Sequence, residues 1–83
     1  MQIEEIGEPI RMLADCAGGR IDPVRFRWGG RTYSVQAING RWVDRQAGGY
    51  ALHYSLQCNG ETYYVHFASD QVQWWLDKVV LAG

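Results

Sequence analysis

Apolar and polar residues alternate with a period of two along much of this chain, and glycine-containing dipeptides interrupt the alternation. Four of them, Gly29-Gly30, Asn39-Gly40, Gly48-Gly49 and Asn59-Gly60, separate runs rich in Val, Tyr, Trp, Phe and Thr. Asn-Gly and Gly-Gly tolerate positive φ at both central positions of a type I′ turn, and the runs between them suit a pleated surface. The pattern predicts consecutive β-hairpins.

A two-residue turn at Asn59-Gly60 sets Cys58 opposite Glu61 and pairs residues 50–58 with 61–69. Leu56 then faces Tyr63, Tyr54 faces Val65 and Leu52 faces Phe67, all on one side. Behind them Gln57 meets Thr62, Ser55 meets Tyr64 and His53 meets His66. A slip of one residue would mix the two sets, so the register is strongly specified. The same reasoning at Gly29-Gly30 opposes Trp28 to Arg31, Phe26 to Tyr33 and Val24 to Val35, with Arg27–Thr32 and Arg25–Ser34 on the reverse. A turn at Asn39-Gly40 would oppose Ala37 to Trp42 and direct Trp42 inward. It would also set Asp44 against Val35, where a bulge or the end of pairing is expected. These registers assign Phe26, Tyr33, Val35, Leu52, Tyr54, Leu56, Val65 and Phe67 to the core.

The two ends carry mixed signals. Ile3, Ile6, Ile10 and Leu13 have helical spacing, but Gly7 and Pro9 interrupt it. The alternation Ile10, Met12, Ala14, Cys16 predicts a strand after a loosely ordered segment 1–8. Residues 72–81 fit a short helix capped by Ser69 or Asp70, yet their Val and Trp content favours a closing strand. Trp74 and Trp75 then point to opposite faces. The expected architecture is all-β: a single domain, 1–83, with six to seven short strands in an SH3-like, strongly bent sheet or barrel. Closure would hide the edges of the first and last strands.

Composition adds a constraint on size. A chain of 83 residues buries a small core, and four Trp, five Tyr and two Phe fill it efficiently. The formal net charge of -1 favours neither nucleic acid nor membrane, although seven of the eight basic residues are Arg, which suits planar contacts. Cys16 and Cys58 lack Cys-x-x-Cys spacing and no signal peptide precedes them, so reduced thiols and a cytoplasmic location are expected.

Candidate chemistry is sparse. The hairpin register makes His53 and His66 direct neighbours, with Cβ atoms ~4.5–5.5 Å apart at a non-hydrogen-bonded position. They are a candidate metal pair, but Ser55, Tyr64, Ala51 and Ala68 around them supply no third ligand, and no metal or other cofactor is expected. Cys58 lies on the opposite face from His66, which separates the thiol from the imidazole. The remaining candidates form an Arg/aromatic binding surface: Arg25, Arg27, Trp28, Arg31, Arg41, Tyr64 and Trp75, with Arg45 following Arg41. Such a set serves a protein interface or a single-stranded nucleic acid.

The strings Glu8-Pro9-Ile10, Phe26-Arg27-Trp28-Gly29-Gly30-Arg31-Thr32-Tyr33-Ser34-Val35, Trp42 and Trp74-Trp75-Leu76 with Val79 carry a resemblance. The chain resembles a family of small, uncharacterised bacterial domains. These occur alone and as C-terminal modules of catalytically degenerate Y-family, translesion-type DNA polymerases. It departs from that pattern at Gly48-Gly49-Tyr50 and at Val80-Leu81-Ala82. The resemblance implies an all-β module beside DNA-repair proteins, without catalysis. The expectation is therefore a non-enzymatic interaction module, protein-binding first and nucleic-acid-binding as the alternative, with no membrane association.

Overall fold

The structure, a computed structural model, describes residues 1–82. Seven strands follow one another: β1 (Gln2–Ala17), β2 (Arg20–Trp28), β3 (Arg31–Ser34), β4 (Ala37–Gln46), β5 (Gly49–Cys58), β6 (Glu61–Ala68) and β7 (Gln73–Leu81). They form one antiparallel sheet in the order β3-β2-β1-β7-β6-β5-β4, curled into a half-barrel. The first and last strands lose their edges by pairing with each other in the middle of the sheet. The free edges are instead β3 and β4.

Both clear hairpins have the registers that the apolar pattern demands. In β5–β6, Leu56 opposes Tyr63, Tyr54 opposes Val65 and His53 opposes His66. In β2–β3, Phe26 opposes Tyr33 and Trp28 opposes Arg31. The turn between β5 and β6 holds Asn59 at φ 52° and Gly60 at φ 79°, the left-handed pair that a type I′ turn needs. A further turn at Gly18-Gly19, not among the four dipeptides read as turns, joins β1 to β2. The segment 72–81 is strand rather than helix, with β7 beginning at Gln73.

Three expectations are corrected. Asn39-Gly40 is not a turn: it lies inside β4 as a bulge between Ile38 and Gly40. The chain changes neighbours just before it, Val35 N–H donating to Val24 O and Gln36 N–H to Gln57 O. Running β4 along β5 puts Ile38 on Leu56 and Val43 on Leu52, and leaves Asp44 against Ala51 rather than on an apolar Val35. Burying that carboxylate would cost several kcal/mol, on the order of any single core contact. Second, the bulge sets Trp42 against His53 on the convex face, 47% exposed, so it does not point inward. Third, β1 starts at Gln2, and residues read as a loose lead-in pair with β7 as far as Glu8–Leu76.

The core lies on the concave side. Phe26, Leu56, Leu76, Val65 and Cys58 are its fully buried side chains, joined by Ile10, Tyr54, Tyr63 and Val79. Tyr33, Val35 and Leu52 pack against it half-buried, and Phe67 meets Trp74 with ring centroids 5.3 Å apart. Phe26 stacks on Tyr33 at 5.1 Å, and Tyr63 packs against both rings. The Tyr54 hydroxyl donates to Ile21 O at 2.6 Å, tying β5 to β2 across the curl.

Candidate functional sites on two faces

The seven candidate surface residues fall in different places. Arg25 and Arg27 share the convex face of β2 with Arg11 of β1, and Arg11 stands directly opposite Arg27. Trp28 and Arg31 alternate to the other face, where Trp28 packs against the core and its Nε1–H donates to Glu8 Oε1 at 2.9 Å. Arg41 lies on the concave side of β4. Tyr64 and Trp75 lie on the convex side of β6 and β7, with Lys78 Nζ 4.8 Å from the Tyr64 ring.

Arg41 belongs to a concave mouth that sequence spacing does not reveal. The tip of the β1–β2 hairpin (Gly19, Arg20, Ile21) and strands β4 and β5 line an open pocket of about 400 Å³ there. Val43, Tyr50, Leu52 and Tyr54 supply apolar and aromatic wall, while Arg20, Arg41 and Arg45 supply positive charge. Asp22 bridges two of these arginines, accepting from Arg41 Nη1 at 2.6 Å and Arg20 Nη2 at 3.1 Å. The Arg41 hydrogen bond, then that of Arg20, holds the Asp22 carboxyl below its ordinary range.

The backbone of β4 is open on the same side. Ser69 N–H donates to Tyr50 O, so Tyr50 directs its hydrogen-bonding groups toward β6. Alternation in an antiparallel ladder then directs those of Ala51 and His53 toward β4, to Asp44 and Trp42. The amides and carbonyls of Arg41, Val43 and Arg45 therefore face outward from the edge, where no strand lies beyond β4 among the described residues. These three residues also line the mouth.

The convex face of β4–β7 carries a different arrangement. Trp42, His53, His66 and Trp75 form one row across four strands, with successive centroids 5.3, 5.1 and 6.4 Å apart and interplanar angles of 5°, 28° and 12°. His66 Nδ1–H donates to Asp77, 2.8 Å from each carboxylate oxygen. Asp77 reaches it from a bulge: the β6–β7 register shifts between Tyr64 and Val65, and Ile6-Gly7 of β1 bulges opposite, with Gly7 at φ 65°. The signal for Asp77 is absent from local spacing because it depends on that shift. Burial lowers the His53 pKa from its ordinary value of 6.5, and the neighbouring His66 lowers it further.

Neither histidine hydrogen-bonds a hydroxyl or thiol among the described residues. Cys58 is buried on the core side, and burial pushes its thiol up to about 11, which keeps it protonated and weakly nucleophilic at neutral pH. Both cysteines are free thiols, Cys16 exposed and Cys58 buried. No helix is long and apolar enough to cross a membrane among the described residues. No family model, curated protein or solved structure matches the chain.

Proposed function

We propose that this domain is an interaction module that takes an extended segment of a partner protein along the free edge of β4. One observation carries the reading: the outward-facing amides of Arg41, Val43 and Arg45 belong to the residues that line the mouth. A strand added there gains main-chain hydrogen bonds from the edge, and its alternate side chains enter the mouth. Opposite Arg41 and Arg45 the complementary side chains are acidic, and opposite Val43, near Leu52 and Tyr50, an apolar one fits. The preferred ligand has the pattern Glu-x-Leu-x-Glu. The resemblance to polymerase-associated modules supports a DNA-repair setting for that partner.

Fluorescence anisotropy with a labelled decapeptide that contains Glu-Thr-Leu-Thr-Glu at its centre tests this. Binding should weaken at least ~10-fold, roughly 1.4 kcal/mol, in Arg45→Glu, an arginine without an ion-pair partner among the described residues. It should be unchanged in Arg25→Glu. Absence of binding, or equal binding by Arg45→Glu, would refute the proposal.

A second reading rests on Arg11, Arg25 and Arg27. Directly opposed like charges destabilise a sheet, and a polyanion laid over Arg11 and Arg27 would relieve that. The aromatic row that would stack bases lies on other strands, β4 to β7, so the phosphate contacts lack a platform beside them. Single-stranded oligonucleotide binding that falls steeply with salt and is lost in Arg27→Ala would favour this reading over the first.

A further inference from the structure

We propose that His53, His66 and Asp77 form a binding site for a divalent transition-metal ion of the Zn²⁺ or Ni²⁺ class on the convex face of the sheet. Three separate features of the chain produce it. The β5–β6 register makes the two histidines direct cross-strand neighbours. The bulge in β7 adds one residue and brings the Asp77 carboxylate to the same side, and bulges commonly re-aim a side chain in this way. Trp42 and Trp75 cap the two rings from outside, limiting the positions the imidazoles take.

One ligand atom from each residue lies within 4.8 Å of the others, and His66 Nδ1 is already 2.8 Å from Asp77. Metal–nitrogen and metal–oxygen bonds of about 2.0–2.2 Å place neighbouring ligands roughly 3 Å apart, so the set needs little closure. The stacked imidazoles must turn about their side-chain torsions to aim one nitrogen each at a common point. Two imidazoles and one carboxylate favour zinc, nickel or copper over calcium and magnesium, which prefer oxygen. Three protein ligands also leave coordination positions for water or a ligand. All three side chains are half-buried, which leaves an ion access from solvent.

Isothermal titration of the metal-free domain with Zn²⁺ tests the site, with imidazole NMR reporting which rings respond. One Zn²⁺ per chain is expected, with both imidazole signals shifting together. Asp77→Asn, nearly isosteric, and His53→Gln should each weaken binding at least tenfold while circular dichroism reports an intact sheet. A Cys16→Ser variant should bind as the parent does, since its exposed thiol lies outside the set. No heat and no imidazole shift would overturn the site. So would binding that survives both Asp77→Asn and His53→Gln, or binding abolished by Cys16→Ser.

Discussion

The dipeptide Asn-Gly occurs twice in this chain, and the two copies do opposite things. Asn59-Gly60 turns the chain back on itself, and the strands on either side both become interior strands. Asn39-Gly40 lets the chain continue, with a bulge, so that β4 becomes the far edge of the sheet. Turn chemistry permits a reversal at both. Across Asn59-Gly60 the apolar residues of the flanking runs fall on one face, whereas across Asn39-Gly40 the reversal would set Asp44 on Val35. Burial therefore selects which permitted turn is used. The unused turn leaves an open edge beside an Arg-lined mouth, and that edge is the basis of the proposed function.

Truncation on the two sides of this comparison should differ most. Leu56 is fully buried at the centre of the used hairpin, and Leu56→Ala should cost ~2–5 kcal/mol in urea unfolding. Its neighbour on β4, Ile38, is only half-buried, and Ile38→Ala should cost about half as much. Equal losses would mean that β4 is as integral to the core as β5.

The glycines themselves come next. Gly60 has φ 79°, so Gly60→Ala should lose about 1 kcal/mol through left-handed strain. Gly40 is not in that region, and a Cβ there would meet Ser55 Cβ at 3.8 Å and the Trp42 ring at 4.0 Å, both ordinary contacts. Gly40→Ala should change stability by less than about 0.5 kcal/mol. A large loss at Gly40 would show that its backbone does adopt a turn.

The smallest expected effect concerns pH, in metal-free buffer. The folded-state pKa of His53 lies below its unfolded value of 6.5, with burial the larger cause and His66 the second. Below pH 6.5 the unfolded chain takes up a proton that the folded chain resists, so the folded state loses stability as pH falls toward the lowered value. His53→Gln should flatten that part of the pH–stability profile, and the His53 NMR titration midpoint should lie below 6.5. A midpoint above 6.5 would contradict the half-buried, stacked placement of the ring.

What was legible in the sequence tracks how local each feature is. Adjacent strands joined by two-residue turns have only one register that separates apolar from polar, so the Phe26–Tyr33 and Leu56–Tyr63 pairs follow from spacing. The His53–His66 pair followed for the same reason. Features made by partners distant in sequence did not. Asp77 meets His66 only because β7 pairs with β6 through a bulge, and Arg20, Asp22 and Arg41 meet only because the sheet curls. The inward direction expected for Trp42 depends on a turn pairing with Ala37 that does not form: Ala37 pairs with Gln57 and Trp42 with His53. Gly7 and Pro9 argue against a helix and leave residues 1–8 as an expected loose segment, yet β1 begins at Gln2 and Gly7 supplies a bulge within it.

Amide hydrogen exchange on β4, with and without the decapeptide containing Glu-Thr-Leu-Thr-Glu, tests the central claim most directly. In the free domain the amides of Arg41, Val43 and Arg45 should exchange rapidly, while those of Trp42 and Asp44, bonded to β5, are protected. Adding the peptide should slow Arg41, Val43 and Arg45 together. Bound peptide that leaves these three amides unprotected would contradict the assignment of the β4 edge as the working surface.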